Sequence, residues 1–299
     1  MTYTPEAKIV LHSRNPIGEE VITLQVDLYK LIVAEVNTHK RLSRNYQSSR
    51  AVPVLKVIEQ VLENPVLPLE WVKNQSGMSG SEYLTPEEVK EATKHILEMR
   101  DAVVAGVRKL CDKDGLNLHK QCSNRYLEPW MSCVGILTAT KDAWEAFLEL
   151  RDHPAADPQI SWLAKEIKSC IESSTPRELN WGEWHLPFIT DKHSNCSLED
   201  KIKISNACIA QVSYRKLDDS VEKCLQVYDR LMFPTNGSFQ INSEGEEEPP
   251  HYSPSEAIVM MYDGAGSLCG NLWSKGFVQY RKLLEQGSEK HFINMSEKM

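Results

Sequence analysis

The segment Thr38-His39-Lys40-Arg41-Leu42-Ser43-Arg44-Asn45-Tyr46-Gln47-Ser48-Ser49-Arg50 gathers four cations, an imidazole and several hydroxyls in a chain whose formal net charge is -8. Guanidinium, ammonium and hydroxyl groups at this density are what an oxyanion needs, and an arginine fork can bond two of its oxygens at once. An acidic chain with one local basic cluster suits a small anion. A nucleic-acid polymer calls for a broad basic face instead. A second concentration, His251-Tyr252-Ser253-Pro254-Ser255-Glu256, sets a hydroxyl and a carboxylate at a predicted helix start. Between the two lie Arg125 and Arg151. Arg151 shares a predicted helix face with Trp144, Phe147 and Leu148. A cation on an apolar stripe either finds an anionic partner or snorkels to the edge.

These residues need a scaffold. Alternation of Ile22, Leu24 and Val26 with Thr23, Gln25 and Asp27 predicts a strand over 21–27, followed by a helix over 28–36 leading into the basic cluster. Val54, Val57, Ile58, Val61 and Leu62 predict a helix after Pro53. Thr85-Pro86-Glu87-Glu88 is a capping-box start for a helix that Asp114-Gly115 ends. Further helices are predicted over 141–151, 159–172 and 220–232, and a strand over 210–214. Segments 188–200 and 234–250 read as loops, the second acidic and flexible over 235–250, and the tail 287–299 as frayed.

A chain of 299 residues with 41% hydrophobic and 25% charged content can bury a core of ordinary size. No apolar run reaches membrane-span length, and the polar start over 1–8 does not read as a signal peptide. None of the eight cysteines forms a Cys-x-x-Cys pair, which argues against a zinc knuckle and for a reducing, cytoplasmic setting.

The basic cluster resembles the signature of the flavin-dependent thymidylate synthases, with His39, Ser43, Asn45, Ser48 and Arg50 on matching offsets. Asn124-Arg125-Tyr126-Leu127-Glu128-Pro129 is similar to that family's Arg-x-x-Leu-Pro block. Leu148-Glu149-Leu150-Arg151 matches its Leu-x-Leu-Arg, and Gln211-Val212-Ser213-Tyr214 with His251 to Ala257 resembles its remaining block. That last block comes first in the typical member, so the chain looks circularly permuted, a pattern associated with bacteriophage members. The resemblance implies an α+β fold, a mainly antiparallel sheet flanked by helices in one domain over 1–299. It implies a homotetramer with shared sites, FAD as cofactor, and methylenetetrahydrofolate and NADPH as co-substrates. The reaction implied is one-carbon transfer to C5 of dUMP, with no nucleic-acid or membrane partner.

By the same resemblance Ser48 and Arg50 hold the nucleotide phosphate, and Ser49 and Arg125 are further nucleotide-binding residues. Arg151 contacts the pyrimidine and, with Ser48, is a catalytic candidate. Tyr46 and Glu35 stand beside the nucleotide, where the family has glutamate and glutamine. His39, Lys40, Arg41, Asn45, Thr140, Ser253 and Glu256 take the flavin, with Thr138 ranked behind them, and Ser213 matches a serine near the folate and nucleotide side. Taken alone, Ser48 and Arg50 also read as a helix cap and a surface ion pair, and Ser253-Pro254 as a simple helix start. Departures are Thr38 and Lys40 for two arginines, Ala257 for a histidine, and Asp142 and Ala146 for flavin-contacting Arg and Asn. Such changes leave open dCMP as substrate, a 5-hydroxymethyl product, or a module that binds without catalysis. Asn271-Leu272-Trp273 and Gln279-Tyr280-Arg281-Lys282 carry aromatic and cationic groups suited to closing the site, and Trp184-His185 reads as structural.

Overall fold

A computed structural model describes residues 3–77, 80–213, 217–232, 251–263 and 276–299. The expected acidic loop 235–250 and Asn271-Leu272-Trp273 lie outside the described residues. The fold is α+β with a mostly antiparallel main sheet.

In chain order, β1 (Glu6–Arg14) and β2 (Glu20–Tyr29) form a hairpin, followed by α1 (Val33–Val36), β3 (Ser43–Tyr46), α2 (Val54–Glu63) and α3 (Pro86–Leu110). Next come α4 (Lys120–Ser123), a 3-10 stretch Asn124–Trp130, β4 (Ser132–Thr140), α5 (Lys141–Arg151), α6 (Pro158–Glu172), β5 (Arg177–Glu178) and β6 (Trp184–His185). The chain continues with α7 (Leu198–Ala210), α8 (Val221–Met232), a 3-10 turn Ser253–Ala257, β7 (Val259–Met261), β8 (Phe277–Gln279), α9 (Tyr280–Glu285) and α10 (Glu289–Ser296). The main sheet has the order β3-β4-β2-β1-β5, and a smaller one the order β6-β7-β8.

Strand alternation sends the two faces of the main sheet to different partners. Ile22, Leu24, Val26 and Leu28 pack against Trp144 and Phe147 of α5 and Ile160, Leu163 and Ile167 of α6. On the opposite face Val21 meets Val259, Met261 and Phe277 of the small sheet, and Ile136 joins the core built by α7, α8 and α9. A third cluster joins α2 and the C-terminal half of α3 to Leu127, Trp130 and Met131. No helix among the described residues is long and apolar enough to cross a membrane.

Four expectations need correction. β2 runs to Tyr29, because Leu28 and Tyr29 still pair with Cys133 and Ser132, so the helix expected from Leu28 shrinks to a 3-10 turn and α1. The strand expected from Ala210 is the end of α7 and a 3-10 turn, Gln211–Ser213. The loop expected over 188–200 already contains the first turn of α7, where Ser197 accepts from Asp200 N. The tail expected to fray forms α10, whose Phe292 and Ile293 are buried.

Candidate active site

α5 follows β4 without a break and delivers Arg151, its last residue, to the turn after α1. Leu42, fully buried, anchors that turn, and Thr38, His39 and Leu42 donate backbone N–H to Glu35, Val36 and His39 carbonyls. Arg151 then spends three donors on it: Nε on His39 Nε2 at 2.9 Å, Nη1 on Glu35 Oε2 at 3.1 Å, and Nη2 on Thr38 Oγ1 at 3.2 Å. The expensive cation on the apolar stripe thus has its anionic partner, Glu35. His39 packs edge-on against Phe147, with centroids 4.8 Å apart. Burial first, then the charges of Arg151 and Arg44, push its pKa below the ordinary imidazole value. Arg44 ties the turn down by donating to the carbonyls of Asn37 and His39 at 3.1 and 3.2 Å.

β3 pairs with β4 in the register Ser43↔Thr138, Arg44↔Leu137, Asn45↔Ile136 and Tyr46↔Gly135. Arg44 and Tyr46 therefore face the helical layer, and Ser43 and Asn45 face the C-terminal elements. Ser43 Oγ donates to Glu256 Oε2 at 3.1 Å, and Asn45 Nδ2 donates to Ile209 O at 2.8 Å. Arg281 also pairs with Glu256, and its Nε donates to Glu285 Oε1 at 2.7 Å. Gln279 Nε2 donates to the Glu256 carbonyl at 3.0 Å. Ser253 stands on the same 3-10 turn as Glu256. Thr138 lies on this face too, its Oγ1 2.7 Å from Thr23 Oγ1. Tyr46 packs so closely on Gly135 that a Cβ there would stand 2.6 Å from its ring. Its phenol oxygen is buried, with no hydrogen-bond partner among the described residues.

The expected phosphate cradle contains an acid. Ser49 is buried and its Oγ donates to Glu128 Oε1 at 2.7 Å; Arg125 Nη1 donates to the same oxygen at 3.0 Å. Asn124 Nδ2 fixes the turn by donating to the carbonyls of Ser49 and Val52. Arg50 is exposed, and Ser48 precedes the turn as its extended cap.

Other expected flavin contacts are engaged within the chain. Lys40 Nζ donates to Asn37 O at 3.1 Å, and Arg41 and Thr140 both bond the Asp142 carboxylate. Burial raises that carboxyl's pKa, but the bonds from Thr140 and Arg41 outweigh it and hold the group below the usual range. Sequence reasoning gave no role to Glu128 and left Arg281 as a group suited to closing the site. The signal for Glu128 was its intrusion between Leu127 and Pro129. His185 is structural, buried between Ser13 and Thr23.

No family model and no curated protein matches the chain. Among solved structures it is similar to the UMP/dUMP methylase PolB from Streptomyces cacaoi, bound with 5-Br UMP. There the identity is 13%, the coverage 57% of this chain and 89% of that one, and the TM-score 0.47. It is also similar to Thymidylate Synthase X (ThyX) from Helicobacter pylori with FAD and dUMP, at 12% identity, 50% and 67% coverage and a TM-score of 0.35. At such values no residue role is transferred from either.

Proposed function

We propose that this chain is a flavin-dependent enzyme that moves a one-carbon unit from methylenetetrahydrofolate to C5 of dUMP. FAD carries the hydride, NADPH reduces it, and the chain order is a circular permutation. The observation that carries the reading is the bond between Ser43, which lies in the basic motif with the flavin candidates His39 and Asn45, and Glu256, a flavin candidate from the far end of the chain. The donor set fits a dinucleotide. The Glu256 carboxylate and Ser43 hydroxyl suit sugar hydroxyls, and Arg281 beside them suits a pyrophosphate. Reduced flavin would supply the hydride that completes a methyl group.

The chain's own residues do the rest. Arg151, oriented by Glu35, His39 and Thr38, presents a fixed guanidinium. Negative charge on a pyrimidine oxygen, which accompanies the electron-rich state from which C5 attacks, is stabilised by such a preorganised cation. His39, kept from protonating by burial and by Arg151, remains an acceptor and adds no competing charge. Because the cofactor performs the difficult step, the site requires no nucleophile of its own.

One observation favours a second reading. Glu35 offers a carboxylate beside Arg151, and carboxylates accept well from the 4-amino group of cytosine, so dCMP is the rival substrate. Purified protein should be yellow and should release a mass-shifted product from dUMP in the presence of the folate and NADPH. A shift on dCMP alone selects the rival. A colourless preparation that takes up no added FAD rejects flavin chemistry and leaves a nucleotide-binding module. We further place the enzyme in the cytoplasm as a homotetramer with shared sites, which sedimentation of the flavin-loaded protein tests.

A further inference from the structure

We infer that Glu128 is an internal anion seated in the phosphate cradle, so that a phosphate monoester enters only by displacing it. This rests on reading Ser49 and Arg125 as nucleotide-binding residues. Both donate to one oxygen, Glu128 Oε1, at 2.7 and 3.0 Å. A carboxylate and a phosphate draw on the same hydroxyl and guanidinium donors, so the two compete for them. The geometry makes the exchange feasible. Arg125 is about half exposed, at 54% of its side-chain surface, so it can turn outward with an incoming anion, whereas Glu128 is only 17% exposed. Ser49, by contrast, is fixed: it is buried, and Asn124 holds its carbonyl at 2.8 Å. Glu128 is also the residue that interrupts the Arg-x-x-Leu-Pro pattern, standing between Leu127 and Pro129. The interruption thus places the acid in the cradle. The cost of moving it falls on ligands that carry a phosphate, and not on the bare nucleoside. Glu128 is in this sense a specificity-determining residue.

The experiment is calorimetric titration of the full chain with dUMP, deoxyuridine and inorganic phosphate, comparing wild type, Glu128→Gln and Glu128→Ala. Removing the charge should tighten dUMP binding by about tenfold or more, leave deoxyuridine unchanged, and let inorganic phosphate compete. Ser49→Ala in the Glu128→Gln background should cancel most of the gain, which locates it in the cradle. Unchanged or weaker dUMP binding in both Glu128 variants overturns the inference, because Glu128 then positions Ser49 and Arg125 rather than blocking them. A gain in dUMP affinity without any turnover keeps the inference and rejects the proposed reaction. Absence of dUMP binding in every variant overturns both.

Discussion

Arg151 Nε donates to His39 Nε2 at 2.9 Å, so the imidazole faces a cation that does not give up its proton. Nε2 must accept, and the neutral ring carries its hydrogen on Nδ1. Burial first, then Arg151 and Arg44, lower the His39 pKa from its ordinary 6.5. The unfolded chain therefore binds this proton near pH 6.5, and the folded chain only at lower pH. In that window the unfolded state holds more protons, so stability falls as pH drops through it. His39→Gln should flatten that part of a thermal-stability curve. Imidazole NMR should give a His39 midpoint below 6.5. Arg151→Gln should raise it only part of the way, since burial, the larger cause, remains. A wild-type midpoint at or above 6.5 would refute the acceptor role.

Glu256 is bonded by Ser43 at 3.1 Å and paired with Arg281, which Glu285 also holds. Glu256→Gln keeps the shape and removes the charge. Since Arg281 retains Glu285, the loss of fold stability should stay below about 1 kcal/mol. FAD uptake should weaken by about tenfold or more, the scale of one charge-assisted hydrogen bond. Flavin fluorescence quenching and urea unfolding read the two effects separately. Equal uptake by variant and wild type would remove Glu256 from the cofactor site.

The parts of this architecture legible in the sequence are those where one periodicity dominates. β2 alternates cleanly, and α5 runs from Lys141 to Arg151 as its apolar spacing predicts. At Thr85 the capping box forms with Glu88. α7 is not legible in the sequence, for a physical reason. Ile204, Ser205, Asn206, Ala207, Cys208 and Ile209 are all buried, so the second half of the helix has no polar stripe and its end reads as easily as a strand. β3 hides for the opposite reason. Ser43, Arg44, Asn45 and Tyr46 are polar on both faces because both faces carry site residues. The family resemblance set Glu256 in one site with the basic cluster, but sequence spacing could not place Glu128 beside Ser49. That depends on a contact between residues 79 positions apart.

Tyr46 and Gly135 make a paired prediction. A Cβ on Gly135 would lie 2.6 Å from the Tyr46 ring, so Gly135→Ala should destabilise by about 1–3 kcal/mol through overpacking. Tyr46→Phe deletes a buried hydroxyl that has no partner among the described residues, and should leave stability unchanged or slightly raised. If that phenol meets the nucleotide, the same variant should weaken dUMP binding. Urea unfolding and calorimetry together decide it. A Tyr46→Phe variant that loses stability while binding dUMP normally would assign the hydroxyl to the fold and not to the ligand.

His185 ties the small sheet to the main one. Its Nδ1 lies 2.8 Å from Ser13 Oγ and its Nε2 2.8 Å from Thr23 Oγ1, and Thr23 continues to Thr138 at 2.7 Å. The ring is fully buried, and burial first, then the charge of His12, push its pKa down to about 3. Between the ordinary value of 6.5 and about 3 the unfolded chain takes a proton that the folded ring refuses, so this residue lowers stability progressively as pH falls. His185→Leu leaves Ser13 and Thr23 short of a buried partner and should cost about 2–4 kcal/mol at neutral pH. The variant no longer carries this proton linkage, so its deficit should shrink at acidic pH. Urea unfolding at about pH 7.5 and pH 5 measures both gaps, and equal gaps would show that His185 is not held neutral.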